Sequence, residues 1–309
     1  GPPAASAARE LAARRMVRDA FQRALEAQDL RLLKLLLTWS SVPTVRASQV
    51  DMVAAYSVQH RFGLFRRDSQ LQEGLERARR ADAGGVDHFA EPLAGARYEA
   101  YAAVVGPFLG QYSHTAGAFI ARSSKVTMAH LFLWAVVLGS AELAALFLDR
   151  AKQPLRLCLA GSALCKALAG HREVEAEAYS ALQAHLEDTA TEILERASGD
   201  RDVAYGILVK GSPKWGGLSA LELAVDLDVK PFLAHRTVQA IVGNEWWFGR
   251  YPGSRLCVSP GAGVALTLLE CFVPFARLVR IYRVHTDAGG VPRLRPVEQA
   301  AAAGAVDDV

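Results

Sequence analysis

Three histidine-bearing clusters are the first places to look for chemistry. Asp87, His88 and Glu91 fall within five residues, His171 stands beside Glu173 and Glu175, and His235 follows Ala234 in a mostly apolar stretch. An imidazole with two carboxylates has the composition of a metal site or an acid–base pair. Neither acidic cluster has zinc-ligand spacing or a companion cluster elsewhere, so both read as surface charge, and His235 reads as a structural histidine with its ring nitrogens satisfied. The four cysteines, Cys158, Cys165, Cys257 and Cys271, lie in apolar stretches without CxxC spacing, which points to neither a disulfide framework nor a zinc site. No serine sits in a GxSxG elbow, and Gly216-Gly217 lacks a phosphate-loop pattern. The residues name no catalytic centre, no metal site and no cofactor, and the chain reads as non-enzymatic.

The chain has 309 residues, is 51% hydrophobic and carries a net charge of only +3. That length buries a substantial core and suits one elongated domain or two compact ones. Alanine and leucine dominate over β-branched residues, which favours helices. The mild positive charge, without aromatics interleaved among basic residues, excludes nucleic acid as a partner. The chain opens Gly-Pro-Pro, and its first thirty residues are amphipathic and charged, with no apolar signal core. It reads as part of something larger.

Helical pairs recur along the sequence. Met16, Val17, Ala20, Phe21, Ala24 and Leu25 make one apolar stripe between Ala8 and Ala27, and Asp29 is placed to cap a leucine-rich second helix. From 68 to 97 the sequence turns charged and then loop-like, with a double glycine and a proline, and reads as an exposed excursion. A weaker helix spans Tyr98–Leu109. From Thr127 two apolar helices are separated by Gly139-Ser140, with Ser140 as cap and Glu142 facing the positive helix end. Leu155–Ala169 and Val174–Ala197 read as helices, Lys210-Gly211-Ser212-Pro213 is a stop, and Ser219 with Glu222 is a capping box flanked by Leu218 and Leu223. The fold class this predicts is all-α, with stacked antiparallel helix pairs in a solenoid-like arrangement and a membrane-associated or membrane-spanning helix near the C-terminus. The expected divisions are a helical repeat region at 1–122 containing the charged loop, a helical region at 123–250, a pre-membrane or transmembrane helix at 251–285, and a disordered tail at 286–309.

Four segments in order, LFLWAVVLGSAELAALFL, LCLAGSALCKALA, GDRDVAYGILVKGSPKWGGLSALELAVD and FLAHRTVQAIVGNEWWFGR, resemble the later melastatin homology region of TRPM cation channels over about 120 residues. The positions that carry the likeness include Leu133, Trp134, Leu164, Cys165, Trp215, Leu221, Leu223, His235, Gln239, Trp246, Trp247 and Gly249. The resemblance implies a helical cytoplasmic layer beneath a tetrameric, calcium- and monovalent-cation-permeable pore, with other channel subunits as partners and residues 1–250 on the cytoplasmic side of a membrane. It implies structural roles for these residues, with Trp134, Trp215, Leu221, Leu223, His235 and Trp247 in interhelical contacts.

In the family a pre-membrane helix and the first transmembrane helix follow the WWFG signature. Here Leu256–Ala276 has a single charge, Glu270, in 21 residues, and a span needs roughly 20. Pro260, Pro274 and Glu270 count against an ideal span, because a carboxylate at depth costs about 2.5 kcal/mol or more. Arg277, Arg280 and Arg283 follow the segment and suit anionic headgroups instead. The open readings are therefore a spanning helix and an interfacial or buried one, with Leu256, Leu266, Leu269, Phe272, Arg277 and Arg280 as the expected membrane contacts. The Trp246-Trp247-Phe248 cluster suits either the headgroup layer or a packed core.

Overall fold

A computed structural model of the chain describes residues 2–38, 47–58, 69–82, 92–170, 176–248, 282–286 and 292–296. The chain divides into two compact units, residues 1–237 and 238–309.

The first unit is helical throughout its described residues. Helix α1 (Pro2–Ala27) buries Phe21, Ala24 and Leu25, and α2 (Leu30–Thr38) buries Leu33. Between them Gln28 takes the left-handed conformation, φ 56°, and Asp29 Oδ1 accepts from the Leu32 N–H at 3.0 Å, the cap expected from sequence. After a 3-10 turn at Ala47–Gln49 comes α3 (Met52–Val58). The Gln22 side-chain amide tethers its start to α1 by pairing with both the N–H and the C=O of Asp51, at 3.0 and 3.1 Å.

The expected charged loop is in part a helix. Residues 69–82 form α4 (Ser69–Asp82), and Pro92 opens α5 (Pro92–Tyr112). Two buried leucines four residues apart, Leu71 and Leu75, supply an inward face, while Arg77 pairs with Glu73 and Arg80 with Glu76 on the solvent face. Charge was therefore the outer face of a helix. Asp87, His88 and Glu91, like His171, Glu173 and Glu175, lie outside the described residues.

Helix α6 (His114–Arg122) is capped by Ser113 and crosses α5 at a glycine contact: a Cβ on Gly117 would lie 2.5 Å from Gly106 O and 2.7 Å from the Gly110 Cα. Helices α7 (Met128–Val137) and α8 (Ala141–Leu148) form the hairpin expected at Gly139-Ser140. Gly139 takes φ 70°, and Ser140 Oγ accepts from the Leu143 N–H at 3.4 Å. Next come α9 (Pro154–Ala169), α10 (Ala176–Ala197), α11 (Arg201–Val209), a 3-10 turn at Pro213–Trp215, α12 (Ala220–Asp226), α13 (Lys230–Leu233) and α14 (Arg236–Phe248). Both halves of the Ser219–Glu222 capping box form, at 2.7 and 3.1 Å, and the Ser219 hydrogen bonds hold the Glu222 carboxyl below its usual range.

Neighbouring helices pair along the chain, α1 with α2, α3 with α4, α5 with α6, α7 with α8 and α9 with α10. Helix α9 also touches α5, α6, α7 and α12, which makes it the axis of the core. It buries Leu155, Leu157, Cys158, Leu159, Leu164, Cys165 and Leu168, apolar nearly all round as a central helix must be.

The helical architecture is as expected; the second unit, which begins within α14, adds one short hairpin among its described residues. Strands β1 (Tyr282–Thr286) and β2 (Pro292–Pro296) pair antiparallel, with Val284 opposite Leu294. They occupy the expected end of the membrane helix and part of the expected tail. The segment YRVHT alternates apolar and polar residues, a two-residue period, and the Asp287-Ala288-Gly289-Gly290 composition between the strands favours reversal. No described helix is long and apolar enough to cross a membrane. The segment 256–276, with all six proposed lipid-contact residues, lies outside the described residues.

Candidate functional site

The side chains that the fold brings together most specifically meet where α6, α7, the start of α9 and the 210–217 loop converge. The 3-10 turn carries Trp215, which is 2% exposed. Its indole N–H donates to Gln153 Oε1 at 2.7 Å, and Gln153 Nε2 donates to Ser212 Oγ at 3.1 Å. Gln153 precedes Pro154 at the start of α9, so one amide ties the loop to the central helix. The Trp215 ring stacks on Phe119 of α6, with centroids 4.5 Å apart and planes at 26°. Gly216 and Gly217 then turn the chain back at φ 72° and 84°, conformations that glycine reaches without steric cost. A Cβ on Gly216 would also lie 2.6 Å from the guanidinium of exposed Arg122, a side-chain end that can shift, so the positive φ is what favours glycine here.

A second knot is centred on His130, fully buried in α7. Its Nδ1 accepts from the Thr127 N–H at 3.0 Å, reaching back to the N-cap as a glutamate does in a capping box. The Tyr98 hydroxyl donates to Ile120 C=O at 2.5 Å and so accepts from His130 Nε2–H at 3.1 Å. These bonds define one tautomer, protonated at Nε2. Burial, reinforced by the positive charge of Lys214, pushes the imidazole down to about 3, so it is neutral. Tyr101 and Tyr56 extend the cluster, with Tyr98–Tyr101 and Tyr56–Tyr101 centroids each 5.8 Å apart. Burial raises the Tyr98 hydroxyl to about 12 and holds the Tyr101 hydroxyl well above its ordinary value.

His235 is held as a structural histidine should be. Its Nδ1 accepts from the Thr237 N–H at 3.3 Å, leaving Nε2–H to donate to Glu195 at 2.8 Å. Arg236 pairs with the other Glu195 oxygen. The His235 hydrogen bond, helped by Arg236, holds the Glu195 carboxyl below its usual range.

Leu133, Trp134, Leu164, Cys165, Trp215 and Leu223 are buried, Leu221 and His235 are partly buried, and Gln239 is exposed. Trp246 and Trp247 lie in α14 with side chains outside the described set, as Gly249 is altogether. The Trp134 indole N–H is buried without a hydrogen-bond partner among the described residues. Burial pushes the Cys158 and Cys165 thiols up to about 12, leaving them unreactive. Among the described residues no group of His, Cys, Asp and Glu could hold a metal ion. Sequence reasoning missed His130, Tyr98 and Gln153. The Thr127–His130 spacing and the Gln153-Pro154 helix start were their only local signals.

Residues 110–235, which contain both knots except for Tyr56, Tyr98 and Tyr101, match the TRPM2-like domain family. The chain is 33% identical over 119 residues to human transient receptor potential cation channel subfamily M member 5, covering 38% of this chain and 10% of that protein. It is 26% identical over 201 residues to subfamily M member-like 2 of Nematostella vectensis, 57% of this chain and 13% of the relative. It is 29% identical over 134 residues to mouse subfamily M member 2, 42% and 8%. The chain thus spans only about a tenth of the length of these curated relatives. Over residues 110–235 the chain is thus similar to the TRPM2-like domain family, and these relatives of it are all melastatin-type transient receptor potential channels.

Proposed function

We propose that the chain is the cytoplasmic, membrane-proximal scaffold of a melastatin-type cation channel subunit, with residues 1–250 on the cytoplasmic side and 251–285 meeting the membrane. The observation that carries this reading is the coincidence of the TRPM2-like match with the interlocked core, in which Trp134, Trp215, Leu164 and Leu223 are buried. A layer of helix pairs pinned by buried hydrogen bonds moves as a unit, because packed cores deform in discrete steps. Such a layer is suited to subunit assembly and to relaying displacement to a gate. No residue in it has a catalytic role on this account.

The membrane part is tested by liposome co-flotation of the full chain against a chain ending at Gly249, with and without anionic lipid, at low and high salt. Flotation that requires residues 250–309 and persists in high salt supports an inserted segment, and salt-sensitive flotation supports an interfacial helix with its arginines among the headgroups. If neither protein floats, the membrane role fails and a soluble helical scaffold holding partner peptides is the better account.

A further inference from the structure

The hairpin of the second unit has two unlike faces. Its register sets Arg283 across from Arg295 and His285 across from Arg293, while Tyr282 meets Pro296, Val284 meets Leu294 and Thr286 meets Pro292. Alternate residues of a strand share a face, so the three arginines and the histidine fall on one side of the ribbon. The tyrosine, valine, threonine, leucine and both prolines fall on the other. Neither YRVHT nor PRLRP contains a carboxylate. Like charges directly opposite one another destabilise a strand pair, so the basic face gains from anions supplied from outside the hairpin.

The two edges differ as well. Pro292 and Pro296 have no N–H to give the ladder, so the pairs able to exchange both hydrogen bonds are Arg283 with Arg295 and His285 with Arg293. The amides of 282, 284 and 286, like those of 292, 294 and 296, then belong to the outer edges. On β2 only Leu294 keeps an N–H there, which blunts that edge, whereas on β1 Tyr282, Val284 and Thr286 all keep theirs. Among the described residues no third strand pairs with either edge. A lone two-stranded ribbon is marginal in water until another strand or layer joins it.

Different occupants would answer different parts of this ribbon. A membrane surface answers one face and leaves the β1 amides unpaired, which hydrocarbon does not tolerate. A nucleic acid answers the basic face alone. A second copy of β1 brings arginine and histidine beside arginine and histidine. An added strand of alternating acidic and apolar residues answers the open edge, the basic face and the apolar face together.

We infer that the outer edge of β1 accepts, by strand addition, an extended segment of a partner protein in which acidic and apolar residues alternate. This goes beyond the membrane-proximal scaffold reading and does not depend on it.

The test uses the full chain and a fluorescent peptide alternating glutamate and valine, with anisotropy read at low ionic strength. Comparison peptides alternate lysine and valine, gather the same glutamates and valines into two blocks, or carry the alternating acidic sequence with every amide N-methylated. The variants are Arg283→Gln, Arg295→Gln, Val284→Pro on the open edge and Leu294→Pro on the blunt one. Saturable binding is expected for the unmethylated alternating acidic peptide alone. Each arginine substitution should weaken it about threefold, the scale of one exposed ion pair. Val284→Pro should abolish binding and Leu294→Pro should leave it unchanged. If either proline unfolds the hairpin, the N-methylated peptide decides the edge, because it keeps the charges and loses only the backbone donors. Phosphatidylserine vesicles and a DNA duplex are run in parallel. The inference is overturned if wild type does not bind the alternating acidic peptide, if the block or N-methylated peptide binds as tightly, if the arginine substitutions leave binding unchanged, or if wild type binds only the vesicles or the duplex.

Discussion

The indole N–H of Trp215 donates to the side-chain carbonyl of Gln153 across 2.7 Å and 62 positions of sequence, joining the 210–217 loop to the first residue before α9. Because the same amide also donates to Ser212, removing Gln153 strands two buried partners at once. Gln153→Ala is expected to cost about 1–3 kcal/mol and Trp215→Ala about 3–5 kcal/mol, read from urea midpoints. In a double-mutant cycle Trp215→Phe with Gln153→Ala should cost less than the sum of the two single changes. Trp134 supplies the contrast, since its N–H has no partner among the described residues: Trp134→Phe should cost under about 1.5 kcal/mol, less than Trp215→Phe.

His130 predicts a pH dependence with a definite sign. Its folded value, about 3, lies below the ordinary 6.5. Between those values the unfolded chain binds the proton and the folded chain does not. The contribution is therefore fully present above pH 6.5 and is lost as pH falls toward 3, amounting to up to roughly 5 kcal/mol. The imidazole resonances of His130 should stay flat from pH 7.5 to 5 by NMR, and His130→Gln should flatten the fall in stability over that range. A His130 that titrates near 6.5 in the folded chain would refute this.

Helix α6 lies against α5 through Gly117, with no room for a methyl group. Gly117→Ala should destabilise by about 1–3 kcal/mol or more through overpacking. At Gly110, where a Cβ meets nothing within 4 Å, alanine should stabilise by up to about 1 kcal/mol. Thermal denaturation of the two variants gives shifts of opposite sign if the crossing is as close as described.

Glu195, on α10, is held below its usual carboxylate range first by His235 and then by Arg236 at the start of α14. A depressed carboxylate lends stability above its ordinary pKa, and that contribution disappears as pH falls through the lower folded value. Carbon-detected titration of Glu195 should give a midpoint below that of an ordinary glutamate, moving up in His235→Ala. An unchanged midpoint in that variant would remove His235 from its assigned role.

The paired helices were legible because their signals are local. Gly139-Ser140 and the Ser219–Glu222 box are each contained within a few residues, and each formed where the sequence placed it. Helix α4 was hidden because only Leu71 and Leu75 face inward among a run of charges. The hairpin of β1 and β2 was hidden because its strands are short and the second, PRLRP, is arginine-rich and bounded by prolines, against usual strand composition. The two knots were illegible for another reason. His130 meets Tyr98 from 32 residues away and Gln153 meets Trp215 from 62, so their importance exists only once the helices have packed. The buried family positions Trp134, Trp215 and Leu223 could be named beforehand, but the polar partner of Trp215 could not.

The most direct test of the scaffold reading is to graft residues 110–235 in place of the matching segment of human subfamily M member 5, then measure subunit stoichiometry and whole-cell cation current. The account predicts a tetrameric channel that conducts, and loss of assembly when the graft also carries Trp215→Ala. A graft that reaches the cell surface folded yet neither assembles nor conducts would contradict it.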